Sequence, residues 1–165
     1  MAKRLTIFGA ALLALGLTLT GARAQDSNID FGGLRADPSL AVEVTSDSFT
    51  IDQASHSATF SGSVRVAQGE MVMTASEVVI VYADDGRSIV QLVASGGVIL
   101  KAGSDAAQAQ SAVYVIANAE VTLTGDVLLT QGSAAISGQK LTVNLTNGTG
   151  RIEGRVTTTF IPGSN

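Results

Sequence analysis

Two stretches of this sequence repeat one pattern: FSGSVRVAQGEMVMTASEVVIVY at residues 60–82 and LTGDVLLTQGSAAISGQKLTVNL at residues 123–145, an offset of 63 positions. Each contains a Gly-x-Val, then a Gln-Gly, then an alternating apolar run. In the first stretch Phe60, Val64 and Val66 share one parity, and mostly polar residues occupy the other. Alternation with a period of two is typical of a strand with one buried face. The repeat therefore predicts β-structure.

The apolar parity changes once within each copy. The change falls at residues 75–77 in the first copy and at residues 138–140 in the second, which is the same place in the unit. Because the side chains of a strand alternate between two faces, a change of parity indicates a bulge or corner. Gly62, Gly96 and Gly125 are predicted to allow a sharp bend or a close backbone approach at one shared point of each unit.

A looser third copy spans residues 92–116, so the units recur every 30 or so positions. Turn signals separate the runs at residues 52–57, 84–86, 102–105 and 147–148. No stretch after Gly21 shows convincing helical periodicity. We expect an all-β fold of about a dozen or more short antiparallel strands, arranged as a twisted two-sheet structure.

The N-terminus has the features of a secretory signal peptide. Lys3 and Arg4 precede an apolar stretch at residues 5–19, and Ala22-Arg23-Ala24 follows it. We expect export to the periplasm with cleavage after Ala24. An uncleaved membrane anchor is the competing interpretation, but about 15 apolar residues are short for a bilayer span.

Cleavage would leave 141 residues, enough for one domain with a real core. We predict a signal peptide at 1–24, a flexible lead-in at 25–40, the β-domain at 41–162 and a tail at 163–165. Loss of three basic residues with the signal peptide leaves 7 against 14 acidic ones, a formal charge of −7, which argues against a nucleic-acid partner. The sequence has no cysteine, so no disulfide contributes to stability.

The apolar faces admit two interpretations. They can close on one another as a dry core, or stand apart as a groove that holds an apolar ligand, and composition does not decide between them. Met71 and Met73 are open in the same way: they either contact a variable apolar cargo or fill gaps beside the corner.

Several segments in a fixed order resemble the LptA/OstA-like family of periplasmic lipopolysaccharide-transport proteins. Each motif is short, but together they extend from about Leu40 to Pro162. The segments are VTSDSF at 44–49, FSGSVRVAQG at 60–69, TASEVVIVY at 74–82, AQSAVY at 109–114, VTLTGDV at 121–127, GQKL at 138–141 and RVTT at 155–158.

The resemblance implies an antiparallel β-jellyroll opened into a V, whose apolar interior receives the acyl chains of lipid A. It also implies units that stack edge to edge as a bridge between inner-membrane and outer-membrane export components. Two positions depart from the family pattern: Ala75-Ser76 stands where Ala-Asp is frequent, and Tyr82 stands where a basic residue can occur. The second departure argues against a phosphate contact at Tyr82.

From the shared parity and the resemblance we predict two sets of functional residues. The lipid-binding set is Phe49, Ile51, Phe60, Val64, Val66, Val78, Ile80, Tyr82, Leu92, Val98, Leu100, Tyr114, Ile116, Leu123, Val127, Leu129, Ile136, Leu141 and Val143. The partner-edge set, for head-to-tail self-association and for the membrane components, is Val42, Val44, Val156, Thr158 and Phe160.

Other functional classes have little support in the residues. His56 is the only histidine and lies in a predicted turn, as do Asp84 and Asp85, so neither a catalytic site nor a metal site is predicted. No phosphate-binding loop motif occurs, and no cofactor is expected. The alternatives are a β-solenoid or adhesive module without lipid cargo, a lipid-modifying hydrolase, and a membrane-anchored member of the same pathway.

Overall fold

The computed structural model describes Ile29–Asp30 and residues 40–160, and these form strands almost throughout. One 3-10 turn, Ile116–Asn118, interrupts them. The strands are β1 (Ile29–Asp30), β2 (Glu43–Thr45), β3 (Ser48–Asp52), β4 (Ser57–Gln68), β5 (Met71–Tyr82), β6 (Ile89–Ala102), β7 (Asp105–Val115), β8 (Glu120–Gln131), β9 (Ala134–Asn144), β10 (Thr149–Glu153) and β11 (Thr157–Phe160). The predicted signal peptide, the tail and most of the lead-in lie outside the described residues, so the predicted domain boundaries stay predictions.

The strands form one antiparallel sheet in which β4 to β9 each pair with the next strand along the chain. At one edge β2 and β3 pair with opposite ends of β4, and at the other β10 and β11 pair with opposite ends of β9. β1 pairs with the outer side of β10. The sheet therefore has eight successive strand positions, which we call rungs. The first rung is β2 with β3, the next six are β4 to β9, and the last is β10 with β11.

This architecture confirms the predicted open, antiparallel, all-β fold and corrects two details of it. The six central strands are long, at 11 to 14 residues, because the corners bend them without ending their pairing. All the strands also belong to one hydrogen-bonded sheet instead of two. A solenoid is excluded for these residues, because consecutive strands pair antiparallel instead of stacking as coils.

A row of corners crosses the whole sheet. On alternate rungs the corner has two residues, and both have a positive φ, between 46° and 87°. These two-residue corners are Gly62-Ser63, Gly96-Gly97, Gly125-Asp126 and Gly154-Arg155. In β4, β6 and β8 they coincide with the register shifts of the sheet. The predicted bend at Gly62, Gly96 and Gly125 is confirmed.

The rungs between them contribute one residue each to the corner row. These corner side chains are Asp47, Ser76, Gln110 and Gln139, and each lies over the glycine of the next rung. A Cβ on Gly96 would lie 2.5 Å from the Cβ of Ser76, and a Cβ on Gly125 would lie 2.8 Å from the Gln110 side chain. These positions therefore require glycine for two reasons: the backbone has a positive φ, and a Cβ would collide with a neighbouring side chain.

The corners explain the parity changes in the sequence. A two-residue corner keeps the inward parity of its strand, as in β6, where both Leu92 and Leu100 are buried. A one-residue corner changes it, as in β9, where both Ile136 and Leu141 are buried. The changes predicted at 75–77 and 138–140 are confirmed by the register shifts there.

The corner row divides the sheet into two wings. Wing A contains β3, β10 and residues 57–61, 77–82, 89–95, 111–115, 120–124 and 140–144; wing B contains β2, β11 and residues 64–68, 71–75, 98–102, 105–109, 127–131 and 134–138. Leu92 of wing A and Leu100 of wing B line one cavity. In a straight strand these two residues would be about 26 Å apart, so the wings fold toward each other.

The four predicted turns are confirmed, at 53–56, 84–88, 103–104 and 145–148. Wing B ends in two-residue hairpins that begin with Gly69, Gly103 and Gly132, each with a positive φ. Glycine at the first of two central positions is the requirement of a type II′ turn. The Gln-Gly of each sequence repeat is this turn.

The adjacent glycines of β6 provide a test of the corner. Gly96→Ala should destabilise the protein by about 2–4 kcal/mol, because the new Cβ combines left-handed backbone strain with a collision against Ser76. Gly97→Ala should cost only the strain of about 1–2 kcal/mol, because no atom lies within 4 Å of its Cβ position. Urea denaturation measures both, and equal losses would contradict the role of close approach.

Candidate functional site

The inner faces of the two wings form a continuous apolar interior. Of the predicted lipid-binding set, twelve residues are buried: Val64, Val78, Ile80, Leu92, Val98, Leu100, Leu123, Val127, Leu129, Ile136, Leu141 and Val143. Phe60, Val66, Tyr82 and Tyr114 are partly buried, whereas Phe49, Ile51 and Ile116 are exposed. The alternation in the sequence thus identified the inward face, and contact of these residues with a lipid stays a prediction.

The interior is closed around the leucines of β8, of β9 and of the turn that follows β9. Leu123, Leu129, Leu141 and Leu145 have exposed fractions of 0–1%, and Val143 is fully buried beside them. These side chains belong to one cluster that draws on both wings. This end of the molecule is a closely packed core.

The interior is hollow where β5, β6 and β7 contribute to it. A cavity of ≈120 Å³ lies between the wings. Val66, Leu92, Leu100, Tyr114 and Ile116 of the predicted set line it. An apolar cavity of about 150 Å³ in another protein stays dry and binds benzene, so this space suits a short segment of a hydrocarbon.

Sequence reasoning missed part of the cavity wall. Ala94, Ala112 and Val121 have the inward parity of their strands, and that signal was present in the sequence. Met71 and Met73, whose role was left open, both line the cavity. Apart from the Tyr114 hydroxyl, Gln68 is the one polar side chain in the wall, and its Nε2 donates to the carbonyl oxygen of Leu40 at 3.1 Å.

The interior extends to the open edge at β2 and β3. Phe49 and Ile51 pair with Phe60 and Ala58, so they lie on the inner face, yet they are 53% and 63% exposed. The rings of Phe49 and Phe60 are 4.7 Å apart between centroids.

The edge at β11 is similar. Phe160 pairs with Ala134 on the inner face and is 66% exposed. Of the predicted partner-edge set, Val44, Thr158 and Phe160 lie in edge strands. Val42 lies just before β2, and Val156 lies just before β11.

The polar groups at the end of wing A stabilise turns. The side-chain hydroxyl of Ser55 and the backbone N–H groups of Ser55 and Ala54 hold the pKa of Asp52 below its usual value. The backbone N–H groups of Ser88 and Arg87 and the Ser88 hydroxyl do the same for the pKa of Asp85.

His56 is the last residue of the turn at 53–56 and lines an open pocket of ≈500 Å³. Its Nδ1 is 4.0 Å from an oxygen of Asp84, and both side chains are exposed. Within residues 29–30 and 40–160, no three potential metal ligands cluster.

The pH dependence of stability tests whether the hydroxyl of Tyr114 is buried in the interior. Burial raises the pKa of Tyr114 above its ordinary value of about 10. Its contribution to stability is therefore complete below about pH 10 and is lost as the pH rises through the folded-state pKa, because the unfolded chain ionises first. We expect Tyr114→Phe to lose less stability than the wild type between pH 9 and pH 11 in urea denaturation. Identical losses would contradict burial of this group.

The fold and the interior together define a class of protein: an open antiparallel sheet folded around an apolar interior that reaches both of its edges. No helix among the described residues is long and apolar enough to cross a membrane.

Comparison with known proteins gives the family. Residues 43–149 match the family described as LptA/(LptD N-terminal domain) LPS transport protein. The chain belongs to this family, which confirms the resemblance found in the sequence. It is a family of transport proteins.

Two further proteins are similar to this chain. The crystal structure of LptH, the LptA-homologous periplasmic component of the lipopolysaccharide transport device of Pseudomonas aeruginosa, superposes with a TM-score of 0.67 at 16% identity, covering 74% of this chain and 96% of LptH. A protein of Rhizobium meliloti (strain 1021) described as uncharacterized is 26% identical over 153 residues, which is 87% of this chain and 82% of that protein. The LptH similarity shows the fold.

Proposed function

We propose that this protein carries lipopolysaccharide across the periplasm by shielding the acyl chains of lipid A between its two wings. The observation that supports this most directly is the cavity lined by Leu92, Leu100 and Tyr114, because it is apolar, lies between the wings and continues into an exposed apolar edge. Membership of the lipopolysaccharide-transport family makes this lipid the natural occupant.

The energetics of burial are sufficient for such a role. Each CH₂ group removed from water contributes about 0.8 kcal/mol, so ten of them supply about 8 kcal/mol, equivalent to a micromolar dissociation constant before any cost of opening. The cavity of ≈120 Å³ holds only part of one acyl chain. Binding of several chains therefore requires the wings to separate.

The direction of opening follows from the packing. The alanine- and methionine-lined part between β5 and β7 has few large contacts to lose, whereas Leu123, Leu129 and Leu141 fill the part between β8 and β9. Opening should therefore begin in the hollow part. The phosphates of the lipid would remain in solvent at the mouth, since the chain has an excess of acidic residues.

The remaining elements of the proposal concern location and assembly. Export through the signal peptide at 1–24 would deliver the protein to the periplasm, where copies would join head to tail. Components of the inner-membrane and outer-membrane export machinery would pair with the two edges of the sheet. The alternative of a membrane-anchored member of the pathway depends on residues outside the described part of the chain, and N-terminal sequencing of the exported protein distinguishes it.

A photo-crosslinking experiment tests lipid binding. A photoreactive residue at Leu92 or Leu100 should capture lipopolysaccharide, because both side chains line the cavity. The matched controls are Val93 and Ile99, the neighbours of these residues on the opposite face of the same strand. We expect capture at the inner positions to exceed capture at the controls by about tenfold or more, as expected for burial against exposure.

Capture is measured by gel shift and immunodetection of the lipid on the protein purified from cells. Equal capture at Leu92 and Val93 would contradict a groove between the wings. Capture at neither position, with the variants folded, would contradict the proposed cargo.

A further inference from the structure

The two edges of the sheet are complementary in strand direction and in corner type. The rung at one edge, β2 with β3, has a one-residue corner at Asp47, and the rung at the other edge, β10 with β11, has the two-residue corner Gly154-Arg155. Within the chain the two corner types alternate without exception. A second copy placed against β10 and β11 by its β2 and β3 continues both the antiparallel direction and this alternation.

We propose that the corner row continues across the joint between two copies, and that Arg155 of one copy lies beside Asp47 of the next as the charge pair that fixes the register. This inference rests on the head-to-tail association proposed above and adds the residues that determine it. It follows from the register inside the chain.

The internal register is the same at all three places where a two-residue corner precedes a one-residue corner. The residue before the two-residue corner pairs with the residue after the one-residue corner, as in 61 with 77, 95 with 111 and 124 with 140. The residue after the two-residue corner pairs with the residue before the one-residue corner, as in 64 with 75, 98 with 109 and 127 with 138. The same rule at the joint sets Glu153 opposite Ser48 and Val156 opposite Ser46 of the second copy. Gly154-Arg155 then faces Asp47, one strand spacing of about 4.8 Å away.

This register also covers the exposed apolar edge residues. It sets Ile152 opposite Phe49 and Phe160 opposite Val42 of the second copy, all on the inner face. Phe49, Val42 and Phe160 are 53%, 53% and 66% exposed in the single chain. A slip by one residue would turn these side chains to the outer face, and a slip by two would break the corner row.

Charge favours this joint over the symmetric ones. Pairing of two β2/β3 edges would set Asp47 near Asp47, and pairing of two β10/β11 edges would set Arg155 near Arg155. The other cations of that edge are already engaged, since Lys140 and Arg151 contact Glu153 at 3.9 and 3.5 Å. Arg155 and Asp47 are both exposed. The head-to-tail joint is the one that pairs opposite charges.

The test is a mixing experiment with Arg155→Glu and Asp47→Lys, followed by sedimentation velocity over a range of concentrations. Each variant alone should need a concentration at least about fivefold higher than the wild type to associate, because its joints set like charges together. An equimolar mixture should recover association, since each chain then offers the edge that the other lacks. If Asp47→Lys does not fold, Asp47→Asn replaces it, with a smaller expected shift.

Three results would overturn the proposal: a wild type that stays monomeric at all concentrations, single variants that associate like the wild type, or folded variants whose mixture does not recover. Photo-capture of lipopolysaccharide at Leu100 should be unchanged in both variants. Loss of capture in the wild type with intact complementation would instead contradict the proposed cargo alone.

We further infer that β1 is an exchangeable cap on this edge. Ile29 and Asp30 pair with Gly150 and Thr149. In the register derived above, Ile51 and Asp52 of a second copy would pair with these same two residues, Gly150 and Thr149. The cap therefore carries the same dipeptide, Ile-Asp, in the same antiparallel register as the strand that would replace it. Association must displace β1.

Ile29→Pro tests the cap, because proline has no N–H to donate and disfavours strand pairing. We expect the full-length variant to associate at a lower concentration than the wild type, by about threefold or more for one weakened strand contact. Lipid capture at Leu100 should not change. Unchanged or weaker association would show that β1 does not compete with a second copy.

Discussion

The structure depends on one backbone constraint, the two consecutive residues with positive φ at every second rung. The first residue is always glycine, because the side chain of the preceding rung occupies the space of a Cβ. The second tolerates Ser63, Asp126 and Arg155, where the left-handed conformation costs strain but no collision. Since all eight rungs bend along this one row, the sheet folds once along its length and its two wings enclose an apolar interior.

Side-chain volume determines whether that interior is filled or hollow. Leucines on β8 and β9 fill the space between the wings, so that end is closed. On β6 and β7 the paired residues Ala94 and Ala112 leave the space open, and flexible methionines of β5 line it. The same sheet thus has a packed core at one end and an apolar cavity at the other, and binding of a ligand in that cavity stays a proposal.

The sequence predicted the strands, their inward faces and the corners, because alternation, glycine and parity are local signals. It did not predict one sheet of long strands, since a parity change looks the same whether a strand bends or ends. It did not predict the cavity at Ala94 and Ala112, because a void depends on the summed volumes of residues from both wings. The pairing of Ile29 and Asp30 with β10 was also missed, as two residues carry no periodicity and the partner is about 120 positions away.

An even number of rungs gives the edges their complementarity. With eight rungs the first and last strands run in opposite directions and have different corners, so in the proposed head-to-tail association each added copy would continue the antiparallel sheet. With seven or nine rungs, the first and last strands would run in the same direction and would have the same corner type. Head-to-tail pairing would then be parallel, and the alternation of corner types would break at the joint. Exposed edge strands usually carry charges or bulges that block such pairing. Here Phe49, Ile51 and Phe160 remain exposed on the inner face, and the short β1 is the one described segment that covers part of an edge. These edges therefore have the properties of a joint, and the proposed head-to-tail association would make the apolar interior of one chain a segment of a longer one.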